Sequence, residues 1–338
     1  MKRLVFLTQR VDPDDSVLAA TIPKIRALAD RVDEVVVLAQ SAAPADGLPA
    51  NVEVRTFGGA GRLARGIRLE RELVRALPAD AVVAHMIPLY ALLAAPLVRP
   101  RRIPLLLWFT HWKRSRTLEA AALAATTVVS VDRRSFPIDL AKVRPIGHGI
   151  DVSEFPCVEP DPGPTLRLLV LGRYSPAKGI PTILRAVETA RGEGLDVEVE
   201  LHGNASNEIE RTHRRELEVF GQPLGDAVPR SELPRLFSRS DALVNNMQAG
   251  APDKVVYEAA ASCLPVLASN PVFDELFEGY ELRFDRDEPA SLVDRLRWLA
   301  GLGAVERKEI GRTLRERVAR RHSVDTWADG IIEAATKS

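Results

Sequence analysis

The sequence predicts an α/β protein built of two doubly wound domains. Short apolar runs alternate with longer stretches of helical period along most of the chain, the pattern of right-handed βαβ units and a parallel sheet covered on both faces. The alternation halts in a proline-rich segment and then restarts. A length of 338 residues also exceeds one core and suits about two domains of roughly 100 to 200 residues. Apolar residues at 46% and charged residues at 27% are those of a soluble globular chain and exclude a disordered or collagenous one. Lys plus Arg and Asp plus Glu are both 46, which removes the global basic field of a nucleic-acid binder.

In chain order, the apolar runs predict strands over 4–7, 35–38, 52–55, 81–84, 105–109, 127–131 and 143–145, with helices between them. The opening MKRLVFLTQR has too few apolar residues for a secretory signal and reads as the first strand. Residues 86–98 and 103–109 are nearly uncharged, but Arg99, Arg101 and Arg102 interrupt what could otherwise span a bilayer. Residues 151–165 contain Pro156, Pro160, Pro162 and Pro164, which remove backbone donors and block a helix, so this is a linker. Strands at 166–171, 197–202, 242–245 and 265–268 follow, with a further candidate at 281–284 and helices from about Ser291 onward. The expected domains are 1–155 and 156–321, and residues 322–338 form a helix packing back toward the first.

Two cysteines, Cys157 and Cys263, are too few and too distant in sequence for a disulfide framework or a zinc cage, so they read as small buried residues in a reducing cytosol. Residues 1–155 carry 22 Lys/Arg and 16 Asp/Glu, a net +6, and the remainder is −6. Part of that excess is Arg62, Arg65, Arg68, Arg71 and Arg75, spaced by three or four residues and so expected on one helical face, with Leu63, Ile67, Val74 and Leu77 available for burial. Such a helix suits an anionic membrane surface or acceptor; a solvated face paired with Glu70 and Glu72 is the alternative.

The most informative stretch is LGRYSPAKGIPTILRAVETA, residues 171–190: a strand end, a loop with Gly172, Arg173 and Lys178, then Gly179 and an amphipathic helix. A diphosphate needs this combination of guanidinium, ammonium and unpaired amides at a helix N-terminus. The alternative is two solvated loop cations. In NNMQAGAPDKVVYEAAASCLPVLAS, residues 245–269, Glu258 lies one turn inside a helix that starts near Asp253. There it can accept ribose hydroxyls, or stand as a surface helix residue; Lys254 offers a phosphate contact.

Taken with PIGHGIDVSEF (145–155), GRYSPAKG (172–179), VPRSELPRLFSRSDALV (228–244) and PDKVVYEAAASCLPVLAS (252–269), the chain resembles the retaining family-4 glycosyltransferases of the GT-B fold. That resemblance implies two Rossmann-like domains facing a cleft. The C-terminal domain would take a nucleotide-sugar donor and the N-terminal domain a glycan or lipid-linked acceptor, with no metal and no cofactor beyond the donor. Arg173 and Lys178 match the family's phosphate-binding pair, and Glu258 its ribose-binding glutamate. Gly250 stands where the family commonly has a first glutamate, eight positions earlier. Loop amides around Gly250 and Ala251 would then hold the sugar hydroxyls, since glycine permits close backbone approach. Val255, Asn204 and Val228 complete the expected donor pocket.

In WFTHWKRS, residues 108–115, His111 follows an apolar strand at the cleft end of the sheet. It resembles the family histidine that supports transfer; Trp112 beside it either stacks on a sugar or packs. His148 and His202 are further candidates to border the cleft or the nucleotide, and His85 has no matching motif. Asp12, Asp14 and Asp15 are candidates to recognise acceptor hydroxyls, the alternative being that Asp15 and Ser16 only cap the next helix, and FGGAGRLARG (57–66) is a candidate mobile gate. The expected activity is retaining, metal-independent transfer of a hexose or related sugar to a cell-surface glycan or glycolipid. The expected place is the cytoplasm, with peripheral association at the inner membrane face. A nucleotide-sugar-binding protein without transfer and a GT-B epimerase or hydrolase are the rivals.

Overall fold

The computed structural model describes residues 1–337 apart from 14, 16, 17, 45, 46, 60 and 159–162. Asp14 and Ser16, read above as acceptor contact and helix cap, lie outside the described residues, as do Ala60 of the glycine-rich loop and Pro160 and Pro162 of the linker. The chain divides into two compact units, Met1–Asp151 with Arg321–Ser338, and Val152–Arg320.

The first unit is a seven-stranded parallel sheet: β1 (Arg3–Val11), β2 (Glu34–Ala42), β3 (Val52–Thr56), β4 (Ala81–His85), β5 (Leu105–Trp108), β6 (Thr127–Ser130) and β7 (Val143–Pro145). Its order is β3-β2-β1-β4-β5-β6-β7. Leu4 to Leu7, Val35 to Leu38 and Val82 to Ala84 are fully buried, as near-continuous apolar runs must be when both faces of a parallel sheet are covered. Helices α2 (Arg62–Ala76), α3 (Pro88–Val98) and α4 (Arg116–Ala124) cover one face, where Leu69, Leu73, Tyr90 and Leu118 pack with Val5, Val36, Val82 and Leu107. Helix α1 (Thr21–Ala29) and the C-terminal helix, here α12 (Val324–Thr336), belong to the other face. Ile150 bridges Ser323, Arg31 pairs with Asp325 and Asp329 at 3.1 and 2.6 Å, and Trp327 meets Trp108 edge-on at 5.7 Å. Lys24, nearly buried, lies 5.1 and 5.2 Å from those two indole rings.

The second unit holds β8 (Leu166–Leu171), β9 (Val197–His202), β10 (Leu224–Gly225), β11 (Ala242–Asn245) and β12 (Val266–Ala268), ordered β10-β9-β8-β11-β12 and parallel. Its helices are α5 (Ile180–Gly192), α6 (Glu208–Leu217), α7 (Leu233–Ser238), α8 (Lys254–Ala261), α9 (Asp274–Phe277), α10 (Pro289–Gly301) and α11 (Ala304–Arg321). Asp241 fixes the β8–β11 junction, taking Arg167 through its backbone N–H at 2.8 Å and its guanidinium at 2.9 and 3.1 Å.

Three expectations need correction. Cys157 and Cys263, 106 residues apart in sequence, form a disulfide with Cα atoms 4.9 Å apart, because the segment after Asp151 runs back against the end of α8, where the Val158 N–H donates to the Ser262 C=O at 2.8 Å. Sequence distance said nothing of that return, and the cysteine count therefore carries no compartment argument. Residues 281–284 form a single bridge, Ala268 with Arg283, since β12 ends at Ala268 and offers one rung. The strand expected from Pro265 starts at Val266, because proline brings only its carbonyl to the ladder; that carbonyl accepts from the Leu243 N–H at 2.9 Å.

Candidate functional site

In open α/β sheets, ligands bind outside the carboxyl ends of the strands where the order reverses, which here is the β8/β11 pair. The sequence places its two informative loops there. After β8, Gly172 turns with φ 130°, which leaves room for Lys178: an added Cβ would collide with Nζ and Cε of that side chain. Ser175 caps a short 3-10 turn at Pro176–Lys178, and Gly179, in the left-handed region at φ 56°, opens α5 with proline in its first turn. The loop after β11 is stitched to it. The Gln248 N–H donates to the Ala177 C=O at 2.9 Å, Asn246 Nδ2 to the Gly179 C=O at 3.1 Å, and Arg286 to the carbonyls of Asn246 and Ala177 at 2.9 and 3.3 Å.

Lys178, one-tenth exposed, pairs with Asp253 and donates to the Leu171 C=O at 3.3 Å. Asp253 also accepts from Asn245 Nδ2 at 2.7 Å, so the ammonium is held at the sheet edge from both strands. Arg173 takes another direction. Its Nη1 meets the buried carboxylate of Glu210 on α6 at 2.8 Å while half of the side chain stays exposed, and Glu210 accepts the Ser206 N–H at 2.7 Å. The loop places both cations at this edge, each presented by its own carboxylate.

Glu258 on α8 is almost wholly buried and forms an ion pair with Arg230. Lys254, one turn earlier, approaches the same oxygen at 3.7 Å. Arg230 reaches across to Glu154 at 2.8 Å and lies 4.8 Å from the centre of the Phe155 ring. Burial works against the guanidinium charge, but Glu258 and Glu154 outweigh it and hold Arg230 above the ordinary arginine value. Around this pair, Ala251 and Val255 are buried and Val228 is half-buried. Gly250 has φ 81° and donates to Asn270 Oδ1 at 3.3 Å, while Asn270 Nδ2 holds the carbonyls of Gln248 and Ala251 at 3.0 and 2.8 Å. Asn204 accepts the Tyr174 N–H through its carbonyl at 2.9 Å and lines a cavity of about 1010 Å³ with Gly203, Arg214, Leu224, Asp226 and Ala227. His202 is bonded on both ring nitrogens, to Glu200 at 2.6 Å and the Asp226 carbonyl at 3.2 Å.

In the first unit, His111 accepts the Lys113 N–H on Nδ1 at 2.9 Å and stacks on Trp112, with ring centres 5.3 Å apart. His85 closes β4 and shares a proton with Thr8 Oγ1 at 3.2 Å; burial, then the charge of Lys24, pushes it well below the ordinary histidine value. Among the described residues no group of three or more His, Cys, Asp or Glu could hold a metal ion, and no helix is long and apolar enough to cross a membrane.

The sequence reading missed Arg230, Asp253, Glu210 and Asn270. Arg230 and Asp253 lie inside motifs already quoted, but their partners stand in other elements, which no local periodicity reveals.

Residues 181–333, from the first turn of α5 into α12, match a family model described as glycosyl transferase-like. No curated protein matches the chain. Among solved structures, HepE from Anabaena in complex with UDP and glucose has a TM-score of 0.75 at 18% identity, covering 100% of both chains. A sucrose-phosphate synthase from Thermosynechococcus elongatus gives 0.74 at 15%, covering 100% of this chain and 99% of its own. A glycosyltransferase from Rickettsia africae gives 0.76 at 13%, covering 99% and 98%. Residues 181–333 thus resemble the glycosyl transferase-like family, and the whole chain has the GT-B fold of two Rossmann-like units.

Proposed function

We propose that the protein is a retaining, metal-independent glycosyltransferase that moves a hexose or related sugar from a nucleotide-diphosphate sugar to a hydroxyl of a cell-surface glycan or glycolipid. The observation that carries this reading is the stitching of two loops at the β8/β11 switch point, which presents Arg173, Lys178 and the start of α5 beside the helix bearing Glu258. The match of residues 181–333 supports the transferase class, and the UDP and glucose named with HepE support a nucleotide-sugar donor.

In this reading Arg173 and Lys178 take the donor diphosphate, whose oxygens compete with Glu210 and Asp253 for them. Glu258, oriented by Arg230, accepts the ribose hydroxyls. Loop amides about Gly250 and Ala251 hold the sugar, and His111 supports transfer from the first unit. Negative charge grows on the departing phosphate as the glycosidic bond breaks, so the two cations and the α5 amides stabilise the transition state more than the ground state. The leaving phosphate assists deprotonation of the acceptor hydroxyl on the same face, which preserves anomeric configuration. The test is nucleoside diphosphate release from a panel of nucleotide-sugars. Arg173→Ala should cost about 2 to 4 kcal/mol of transition-state stabilisation, and turnover within about twofold of wild type contradicts the assignment.

Peripheral membrane association belongs to the same reading. On α2 the buried face is Leu69, Leu73 and Ala76; Leu63, Ile67 and Val74, expected to be buried, are instead 80%, 58% and 51% exposed and fall on one stripe at helical spacing, beside exposed Arg62, Arg71 and Arg75. An apolar stripe flanked by arginines suits an anionic bilayer interface. Flotation with anionic vesicles should be lost in Leu63→Glu/Ile67→Glu and weakened by salt; unchanged flotation contradicts it.

A further inference from the structure

The carboxyl edge of the first sheet carries a group of cations that the donor chemistry does not use. Strands β5 and β6 are neighbours, and the loops that follow them are fastened together: the His111 N–H donates to the Ser135 C=O at 3.1 Å, and Phe109 meets Phe136 edge-on at 6.0 Å. On these loops and the first turn of α4 stand Lys113, Arg114, Arg116, Arg133 and Arg134, all exposed. The two carboxylates beside them are already engaged. Glu119 accepts from Arg114 at 2.6 Å, and Asp132 accepts the backbone N–H of Arg134 at 2.8 Å within a capping box that fixes the turn. Among the described residues no carboxylate pairs with Lys113, Arg116 or Arg133.

Like charges gathered on anchored loops raise the local potential and repel one another, a cost that an anion bound between them would remove. Ordinary solvated faces intersperse the two signs; here Lys113, Arg116 and Arg133 stand exposed on fastened loops without a carboxylate partner among the described residues. Trp112, 38% exposed and stacked on His111 with an interplanar angle of 20°, sets a flat apolar face beside the charges. The combination fits an anionic group joined to a ring or chain: guanidinium and ammonium take the phosphate oxygens, and the indole packs against what is attached.

We propose that this edge binds the phosphate or diphosphate of the acceptor, so that the substrate receiving the sugar is a phosphate ester. The inference rests on the transferase reading and narrows its acceptor. The direct test is calorimetric titration of the full chain with inorganic pyrophosphate. Wild type should show two sites. Arg173→Ala/Lys178→Ala should lose one, and Lys113→Ala/Arg116→Ala/Arg133→Ala should weaken the other by roughly tenfold or more without changing the melting temperature, since all three side chains are exposed. A triple variant that binds pyrophosphate as wild type does overturns the proposal. Nucleoside diphosphate binding, measured in the same triple variant, reports on the donor reading separately. Farnesyl diphosphate and glucose 6-phosphate then distinguish a lipid-borne from a sugar-borne phosphate. Loss of whichever binds, in the triple variant, supports the proposal; retention of it there overturns it.

Discussion

Removing the Cys157–Cys263 disulfide should cost the second unit most of its margin without altering its native contacts. The bridge spans 106 residues and encloses β8 to β11 and α8. A closed loop of that size restricts the unfolded chain by about 4.7 kcal/mol at 25 °C in the chain-entropy treatment. Folded contacts hold the joined segments in place independently. The Val158 N–H reaches the Ser262 C=O at 2.8 Å, Arg315 donates to the carbonyls of Phe155 and Ala261, and Gly311 lies so close to the Cys263 carbonyl that a Cβ there would collide. The loss therefore falls on the unfolded state. For a unit of about 170 residues, at roughly 2 to 4 °C per kcal/mol, the melting temperature should fall by about 10 to 20 °C. Differential scanning calorimetry of wild type and Cys157→Ser, with and without reductant, measures this. The oxidised wild type should melt highest, and the variant should ignore reductant. A variant within about 2 °C of the oxidised wild type refutes the reasoning.

Glu258→Ala leaves Arg230 buried with Glu154 as its remaining partner, so urea unfolding should show a loss near the lower end of the roughly 3 to 5 kcal/mol seen when a buried pair is broken; an unchanged midpoint contradicts the pairing. Stability should also fall with acid. Burial first, then the charge of Arg321, pushes His322 from 6.5 to about 4, and His85 shifts the same way. The folded chain thus binds fewer protons than the unfolded one between those values, so this stability is complete above about pH 6.5 and is lost as pH falls toward 4, by about 3 kcal/mol for His322. Urea midpoints at neutral pH and pH 5 decide this, and equal midpoints refute it. Gly172→Ala forces a Cβ into Lys178 at a positive φ. Nucleoside diphosphate affinity should drop by about tenfold, and calorimetric titration showing wild-type affinity contradicts the packing.

The strands were legible because parallel strands covered on both faces must be apolar throughout, and runs such as Val35 to Leu38 and Leu168 to Leu171 have no competing period. The loops of the candidate site were legible for a similar reason: Gly172, Gly179 and the proline after it announce a turn and a helix start in sequence alone. What the sequence could not supply was pairing across elements. Glu258 stood out, but its ion pair with Arg230 crosses 28 residues, and Arg173 finds Glu210 across 37. The disulfide was misread on the same ground, because closeness in space was judged from distance along the chain.

The central claim, that the second unit holds a nucleotide-sugar by its diphosphate and ribose, is tested most directly by thermal stabilisation with UDP, GDP, ADP and their sugar conjugates. A ligand at 100 times its dissociation constant adds roughly 2.7 kcal/mol. The account predicts that one base stands out and that its shift, measured against each protein's own unliganded melting point, disappears in Arg173→Ala and in Glu258→Ala. A panel without any shift, or a shift that survives in both variants, contradicts it.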